Sequence, residues 1–513
     1  MYKVFFMAKI ITFLYIGSAL LLISCNRNNS SQNGSNSKIE NTEYLSIEGL
    51  WIATLETSQI FPDGIHKPAV RMTKGNNDSL IAQGLYLWNG DYIRDWIFTE
   101  FNYGYSDYIS WIDEDGDTYR GKVNRNFSEI TGAVYLGDSI SVDTLNFIRA
   151  DKRMETRLFY PFVPENNKSN GYNYHQPPEG NDGLKTAPIY NYISDTAAFN
   201  KLMNKILQQE YGRIESILVL KNDQLIIEEY FYGYSKDELH KIFSCTKSVV
   251  SLLLGKSLEN HKKINLNQSI FDFFPAYDSL RSLEKNMINV SHVLTMTSGF
   301  EWIENSNPFT ETGIVIHDIL SLPLESPPGK EFRYSDGNTD IIGGIIEHLE
   351  GKPLNEFAEE NLFLPLGIKD FEWEEYSDGS KKCGAGLHLY PRDMAKIGSL
   401  VLNEGKWKNK QIFEKNWIME STEPSVTESE YFHYGYQWWH HSNLDNHWWS
   451  CNHDENTLDH NVVLAVGWGG QYIIIQKELN LVCVITASNY NSDEKAFDEI
   501  PMVIEEIFPL FVN

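Results

Sequence analysis

A Pro-, Gly- and Asn-rich stretch over residues 151–189, carrying Pro161, Pro164, Pro177 and Pro178, divides this chain into two parts with different hydrophobic patterns. Proline removes a backbone donor and glycine adds conformations that folding must give up, so neither suits the interior of a helix or a central strand. The stretch therefore reads as a linker, and each flank must bury its own core. A length of 513 residues fits two folded domains better than one.

Ahead of the linker, residues 44–150 read as a small all-β domain. Gly49-Leu50-Trp51-Ile52-Ala53-Thr54-Leu55 and aromatic runs over 85–88 and 96–103 alternate with turn signals at Asn89-Gly90-Asp91 and Asp113-Glu114-Asp115-Gly116-Asp117. Spacings of roughly ten residues suit a sandwich or barrel. The Asp113 cluster opens like a calcium loop, but Asn124 stands where that loop needs glutamate, so a plain turn is expected. The aromatics are assigned to core packing rather than to a carbohydrate or peptide platform.

Beyond the linker, residues 190–513 show a helical pattern over 196–209, a strand over 217–220, a Lys221-Asn222-Asp223 turn and a second strand over 225–232. A long helical middle, late strands over 462–476 and 481–487 and a terminal helix complete an α+β domain. Its first and last segments are expected to pair in one sheet.

The first 25 residues have another purpose. Lys3 and Lys9 flank the start of a mostly apolar run over 10–23, long enough for a signal sequence and short for a membrane span. The run ends in Leu22-Ile23-Ser24-Cys25, which resembles a bacterial lipobox and implies cleavage before Cys25 and acylation of its thiol. Residues 26–43, polar over most of their length, would be a flexible tether between that anchor and the folded body. The expected location is the bacterial cell envelope, lipid-anchored and periplasmic or surface-facing. Against 43 Lys and Arg stand 70 Asp and Glu, a formal charge of -27 that repels phosphate backbones and anionic bilayers. Nucleic acid is thereby set aside, and membrane contact is assigned to the anchor alone. The other cysteines, Cys245, Cys383, Cys451 and Cys483, follow no disulfide spacing and are expected to be mostly free and buried.

Three segments carry chemistry. Ser244-Cys245-Thr246-Lys247 precedes an apolar helical run over 248–254. A serine and a lysine three apart at the opening of a helix share one face, with the helix amides aimed at whatever the serine attacks. Burial can depress the amine's pKa and let it accept the hydroxyl proton. The same spacing recurs at Ser35-Lys38, Ser282-Lys285 and Ser492-Lys495, but there in polar surroundings. Phe332-Arg333-Tyr334-Ser335-Asp336-Gly337-Asn338 places a phenol in a loop between Pro327-Pro328-Gly329 and a helix-like run over 341–349. Val466-Gly467-Trp468-Gly469-Gly470-Gln471-Tyr472 falls in the predicted 462–476 strand, where glycines would let a substrate lie along the backbone.

In this order and at these separations, the three segments resemble the serine β-lactamase and penicillin-binding-protein-like superfamily. The likeness is to its class C side, with family VIII esterases and 6-aminohexanoate-oligomer hydrolases. Leu294-Thr295-Met296-Thr297-Ser298-Gly299-Phe300, Leu364-Pro365-Leu366-Gly367, Pro391-Arg392-Asp393-Met394-Ala395-Lys396-Ile397-Gly398 and Tyr434-Gly435-Tyr436-Gln437-Trp438-Trp439 are similar as well. The resemblance covers about residues 190–513. It implies that Ser244 is acylated, that Lys247 and Tyr334 share the proton, with the first acceptor left open, and that the amides of Ser244 and Gln471 form an oxyanion hole. Asp336, Trp468, Gly469 and Gly470 would line the substrate. No cofactor or metal is implied, and the substrate would be a small ester, amide or short peptide.

Two departures bear on substrate. Asp336 stands where many relatives carry an asparagine, and an ionised carboxylate cannot donate a hydrogen bond. Trp468-Gly469-Gly470 replaces a Lys-Thr-Gly type of motif, removing a cation that attracts carboxylates. Loss of that cation argues against a dedicated antibiotic-destroying enzyme, and the tryptophan form resembles the esterase branch; short acyl esters, D-amino-acid peptides and small linear amides stay open as substrates, with a β-lactamase or a D,D-carboxypeptidase or D-aminopeptidase type of penicillin-binding protein as the alternative. A non-catalytic binding lipoprotein is the remaining reading. Residues 440–461, with His440, His441, His447, Trp448, Trp449, Cys451, His453 and His460, match no standard zinc spacing and are read as a flap at the pocket mouth.

Overall fold

The computed structural model describes residues 46–54, 66–74, 80–88, 91–103, 107–135, 141–150, 154, 172–302, 312–429, 432–441, 461–490 and 499–512. The signal, lipobox and tether readings, and Cys451, lie outside them. The chain forms two compact units, residues 1–165 and 166–513.

The first unit is an antiparallel sheet of ten strands. Nine run in the spatial order Asp91–Trp96, Leu80–Trp88, His66–Lys74, Gly49–Thr54, Asn146–Arg149, Glu129–Tyr135, Thr118–Val123, Tyr108–Asp113 and Phe98–Tyr103, and Ser141–Thr144 pairs with Glu129–Tyr135. Alternation decides which face is covered: in Tyr108–Asp113 residues 109, 111 and 113 are buried and their neighbours are not. Trp51, Trp111, Tyr119 and Phe147 form the centre of the core, with Trp111 and Tyr119 stacked at 4.1 Å. The Tyr119 hydroxyl donates to the Leu145 carbonyl at 2.9 Å, so its polar end is satisfied where it is buried. Asp113 directs its carboxylate at its own turn, accepting from the amides of Asp115 and Asp117 at 3.1 and 2.9 Å.

The second unit is built on a nine-stranded sheet. Its central strands, Ile214–Lys221, Leu481–Ala487 and Gln471–Gln476, are adjacent, so the start and the end of the unit pair as expected, with Leu218 opposite Val484. Strands Gln471–Gln476 and Leu481–Ala487 are buried along their whole length because both faces are covered. Ile473, Ile475, Val482 and Val484 face the cluster that includes helices Cys245–Asn260 and Pro391–Leu402. Ile474, Leu481, Cys483 and Ile485 face helix Thr196–Leu207 and residues 499–511. Each fully buried aliphatic side chain contributes on the order of 1.5–3 kcal/mol, so this sheet is the stiff element on which the site is mounted.

Two expectations are corrected. Residues 172–189 do not behave as linker. Tyr174 donates to the Ile226 carbonyl at 2.9 Å, Ile189 is fully buried, and strand Lys185–Thr186 pairs parallel with Gln224–Tyr230. The Arg392 guanidinium clamps the same stretch through Asp182 at 3.0 Å and the Pro178 carbonyl at 2.8 Å, while also bonding Glu228 at 2.7 and 2.6 Å. Prolines and glycines here mark irregular backbone, not absence of packing. The 462–476 run is likewise not one strand but a hairpin of Val462–Gly467 and Gln471–Gln476, turned at Gly469 and Gly470 with φ of +80° and +95°. Two consecutive left-handed residues reverse the chain, and glycine is the residue that adopts them without strain.

Candidate active site

Ser244 caps the start of helix Cys245–Asn260, entered through Phe243 at φ +45°. The amides of Cys245, Thr246 and Lys247 bond back to the carbonyls of Ile242, Phe243 and Ser244, tightening this entry. The helix is buried on nearly every side, from Cys245 to Gly255 without a break. Two of its buried polar residues are internally paired: Ser248 donates to the Gln437 carbonyl at 2.7 Å, and Thr246 accepts from the Leu387 amide at 3.2 Å.

Lys247 is 1% exposed, and its Nζ has three hydrogen-bond acceptors around it. These are Ser244 Oγ at 2.9 Å, Asp336 Oδ1 at 2.5 Å and the Gly384 carbonyl at 2.8 Å. The Tyr334 ring lies across the same amine, its centroid 4.6 Å from Nζ, and stacks at 5.7 Å on Trp439. Its loop is anchored by the Arg333 amide on the Met296 carbonyl at 2.7 Å. Ser335 then caps helix Asp336–Glu350 by accepting from the Asn338 amide at 3.3 Å, which sets Asp336 in the first turn, facing Lys247.

The hairpin tip approaches from the opposite side. A Cβ on Gly467 would strike the Ile242 carbonyl, and one on Gly469 would strike the Tyr490 ring. The Cys245 thiol donates to the Gln471 carbonyl at 3.3 Å, placing Gln471 beside the residue that follows Ser244. Burial pushes that thiol's pKa up, so it stays protonated and serves as a strut. Trp468 is 51% exposed and packs on Phe243 and Tyr490 at 5.4 and 4.8 Å, forming an aromatic rim.

The structure thus brings together Ser244, Lys247, Tyr334, Asp336 and the 468–471 hairpin tip. Three participants escape a reading of residue types. Gly384 supplies a backbone carbonyl and must lack a side chain, because a Cβ there would overlap the Asp336 carboxyl. Asp340, one turn along the helix from Asp336, accepts from the Cys383 amide at 3.0 Å and from the Tyr376 hydroxyl at 3.0 Å, fixing the loop that presents Gly384. Its pKa is pushed up to about 8, first by burial and then by the neighbouring Asp336 carboxylate. Gln437, at φ +65°, donates to the Val293 and Leu294 carbonyls at 3.0 and 2.9 Å and accepts from Thr339 at 2.7 Å, locking three elements behind the site.

His440 and His441 end the described part of the histidine-rich segment, in strand Trp439–His441, and burial lowers the pKa of His440. Residues 442–460 of that segment lie outside the described residues. Among the described residues no group of three His, Cys, Asp or Glu side chains could hold a metal ion, and no helix is long and apolar enough to cross a membrane. Cys245, Cys383 and Cys483 are free and buried.

A family model described as Beta-lactamase matches residues 203–506. The N-acetylmuramyl-L-alanine amidase of Bacillus subtilis is 22% identical over 364 residues, covering 56% of this chain and 80% of that protein. Protein flp of Staphylococcus aureus is 24% identical over 204 residues, covering 37% of this chain and only 41% of its own length. The solved structure of EstCE1, a hydrolase with promiscuous acyltransferase activity, superposes at a TM-score of 0.50 with 15% identity, covering 62% of this chain and 99% of that one. The matched region contains every residue of the site, and the chain belongs to the β-lactamase-fold hydrolase family.

Proposed function

We propose that the protein is a serine hydrolase that cleaves an ester or amide bond of a small substrate through an acyl-Ser244 intermediate. One observation carries this reading: the buried Lys247 amine sits 2.9 Å from the Ser244 hydroxyl with the Tyr334 ring against it. In the reaction, Ser244 Oγ bonds to the substrate's carbonyl carbon as its proton leaves for the Lys247 and Tyr334 pair. The carbonyl oxygen, now anionic, accepts from the amides of Ser244 and Gln471. The C–O or C–N bond then breaks, and the leaving group takes the proton back from the pair. Water attacks the acyl carbon by the same proton route, releasing the acid and restoring Ser244.

The pocket chemistry supports neutral substrates. Asp336 is engaged with Lys247, and Trp468 offers an aromatic rim in place of a cation, so nothing at either position attracts a substrate carboxylate. Cys25 anchors the enzyme to a bacterial envelope membrane, and the substrate is met outside the cytoplasm. A second reading, cleavage of an amide of the N-acetylmuramyl-L-alanine type, is favoured by the match across 80% of the Bacillus amidase. A serine-reactive fluorophosphonate is expected to label the protein and to fail on Ser244→Ala, whereas equal labelling of both would refute the assignment. Turnover of p-nitrophenyl butyrate, nitrocefin and D-amino-acid p-nitroanilides then ranks the substrate classes. No turnover and no labelling would leave a binding lipoprotein.

A further inference from the structure

We propose that Asn489 and Glu499 are positioning residues that fix the direction of the Gln471 amide, the half of the oxyanion hole carried by the hairpin tip. The inference rests on the acyl-Ser244 reading and goes beyond it by assigning what holds that amide in place.

The need for such a device follows from the turn. Gly469 and Gly470 stand side by side with φ of +80° and +95°, immediately before Gln471. Glycine occupies either sign of φ at little steric cost, so a peptide plane beside it is free to rotate and to carry its N–H away from the pocket. The sequence of the tip leaves that rotation open. Contacts from beyond the two glycines must close it.

On one side, the Asn489 amide donates to the Gly469 carbonyl at 2.9 Å. On the other, the Gln471 side chain folds back into the sheet, donating to the Ala487 carbonyl at 2.5 Å and the Trp468 carbonyl at 3.4 Å. That side chain is thereby spent on structure, and the donor assigned to the substrate is the main-chain N–H. Between the two, the Glu499 carboxyl is fully buried and lies so close to Gly470 that a Cβ there would overlap it.

Asn489 can serve as an anchor because its own side chain is held from several directions. Its Oδ1 accepts from the Arg213 amide at 2.6 Å, while its Nδ2 donates to Glu499 Oε1 at 2.5 Å and to the Tyr211 carbonyl at 3.3 Å. Acceptor and donors are all engaged, with the segment that leads into strand Ile214–Lys221 and with the terminal helical segment, so the amide has one orientation to adopt. Gly212, at φ +78°, makes room for it, since a Cβ there would overlap the Asn489 side chain. Glu499 touches both halves of the device: it receives the Asn489 donor and it backs Gly470. Loss of the Glu499 carboxyl therefore frees the anchor and the turn together.

The test is the rate at which a fluorophosphonate labels Ser244, compared with the rate for its P=S counterpart, and it needs no knowledge of the natural substrate. The P=O oxygen enters the oxyanion hole, whereas sulfur is a weak acceptor and gains little there. The ratio of the two rates therefore reads the hole and not the general reactivity of the serine. In Glu499→Leu, which fills the buried slot and removes the acceptor, P=O labelling is expected to slow by about ten- to a hundredfold, and the ratio to shrink by about as much. Gly212→Ala, which displaces Asn489 from outside the site, is expected to shrink the ratio as well, and stands in if Glu499→Leu does not fold. Thermal melts of each variant establish the fold. A ratio equal to the parent's in a folded variant, whether the two rates stay unchanged or fall together, overturns the proposal and leaves Ser244 as the nucleophile. Equal labelling of the parent and Ser244→Ala, or no labelling of the parent, overturns the acyl-Ser244 reading as well.

Discussion

The thiol of Cys245 donates to the carbonyl oxygen of Gln471 across 226 residues of sequence, tying the start of one helix to the strand after a glycine turn. Both backbone amides assigned to the oxyanion hole sit at this junction, one on each side. The separation between them is thereby set by a buried side chain and a hairpin tip, and not by any bonded path. Gly469→Ala tests the tip. At φ +80°, with the Tyr490 ring against the missing side chain, alanine is expected to cost about 1–2 kcal/mol from backbone strain alone. A chemical-denaturation midpoint that falls, together with a labelling rate that falls further than the loss of folded protein explains, is the expected result. An unchanged labelling rate would separate the tip from the chemistry.

Lys247 is the residue whose loss should be felt most after Ser244. Lys247→Met keeps an unbranched, apolar side chain of similar length in the buried slot and removes every hydrogen bond of the amine. Labelling is expected to slow by about 10²- to 10⁴-fold, the range that proton-transfer groups contribute. Stopped-flow or gel-based labelling kinetics would measure it, and a loss below tenfold would exclude a proton-handling role.

Asp340 gives a stability prediction with a definite sign. Its pKa is raised from 3.8 to about 8, so between those values the folded protein holds a proton that the unfolded chain has released. Stability from this group is fully present below the unfolded pKa and declines as pH rises toward 8. Asp340→Asn has no such titration. The melting temperature of the variant relative to the parent is therefore expected to rise from pH 5 to pH 8 and level off above it. A constant difference across that window would mean the carboxyl ionises normally.

The proposed acylation of Cys25 predicts a simple partition. Cells grown with a palmitate analogue are expected to incorporate it into the parent protein and not into Cys25→Ala, which should move from the membrane to the soluble fraction. Retention of the variant in the membrane would point to another means of attachment.

How much of this was legible depended on whether a feature is written in residue types or in backbone position. The pairing of the first and last strands of the second unit followed from apolar runs that alternate over two faces. Ser244, Lys247 and Tyr334 are legible because hydroxyl, amine and phenol are chemically distinctive and fall in recognisable segments. The Gly384 carbonyl carries no such mark, since any residue has one, and only the close approach of Asp336 explains why it is glycine. Asp336 is legible as a departure and reads as a substrate contact, but its partner lies 89 residues earlier, a distance over which spacing says nothing. The 462–476 run read as one strand because isoleucine and valine stand on both sides of the turn. Residues 172–189 read as linker because proline reports the local dihedral angles and not what the side chains beside it touch.

That last segment has a consequence for how the hydrolase unit can be isolated. Strand Lys185–Thr186 covers the outer edge of Gln224–Tyr230, and Arg392 rivets the preceding chain in place. A truncation beginning at residue 190 would uncover a row of unpaired amides and carbonyls, and would strand the Arg392 guanidinium without Asp182. Such an open margin recruits other chains, so the trimmed protein would be prone to self-association, whereas cutting ahead of residue 172 keeps the border sealed.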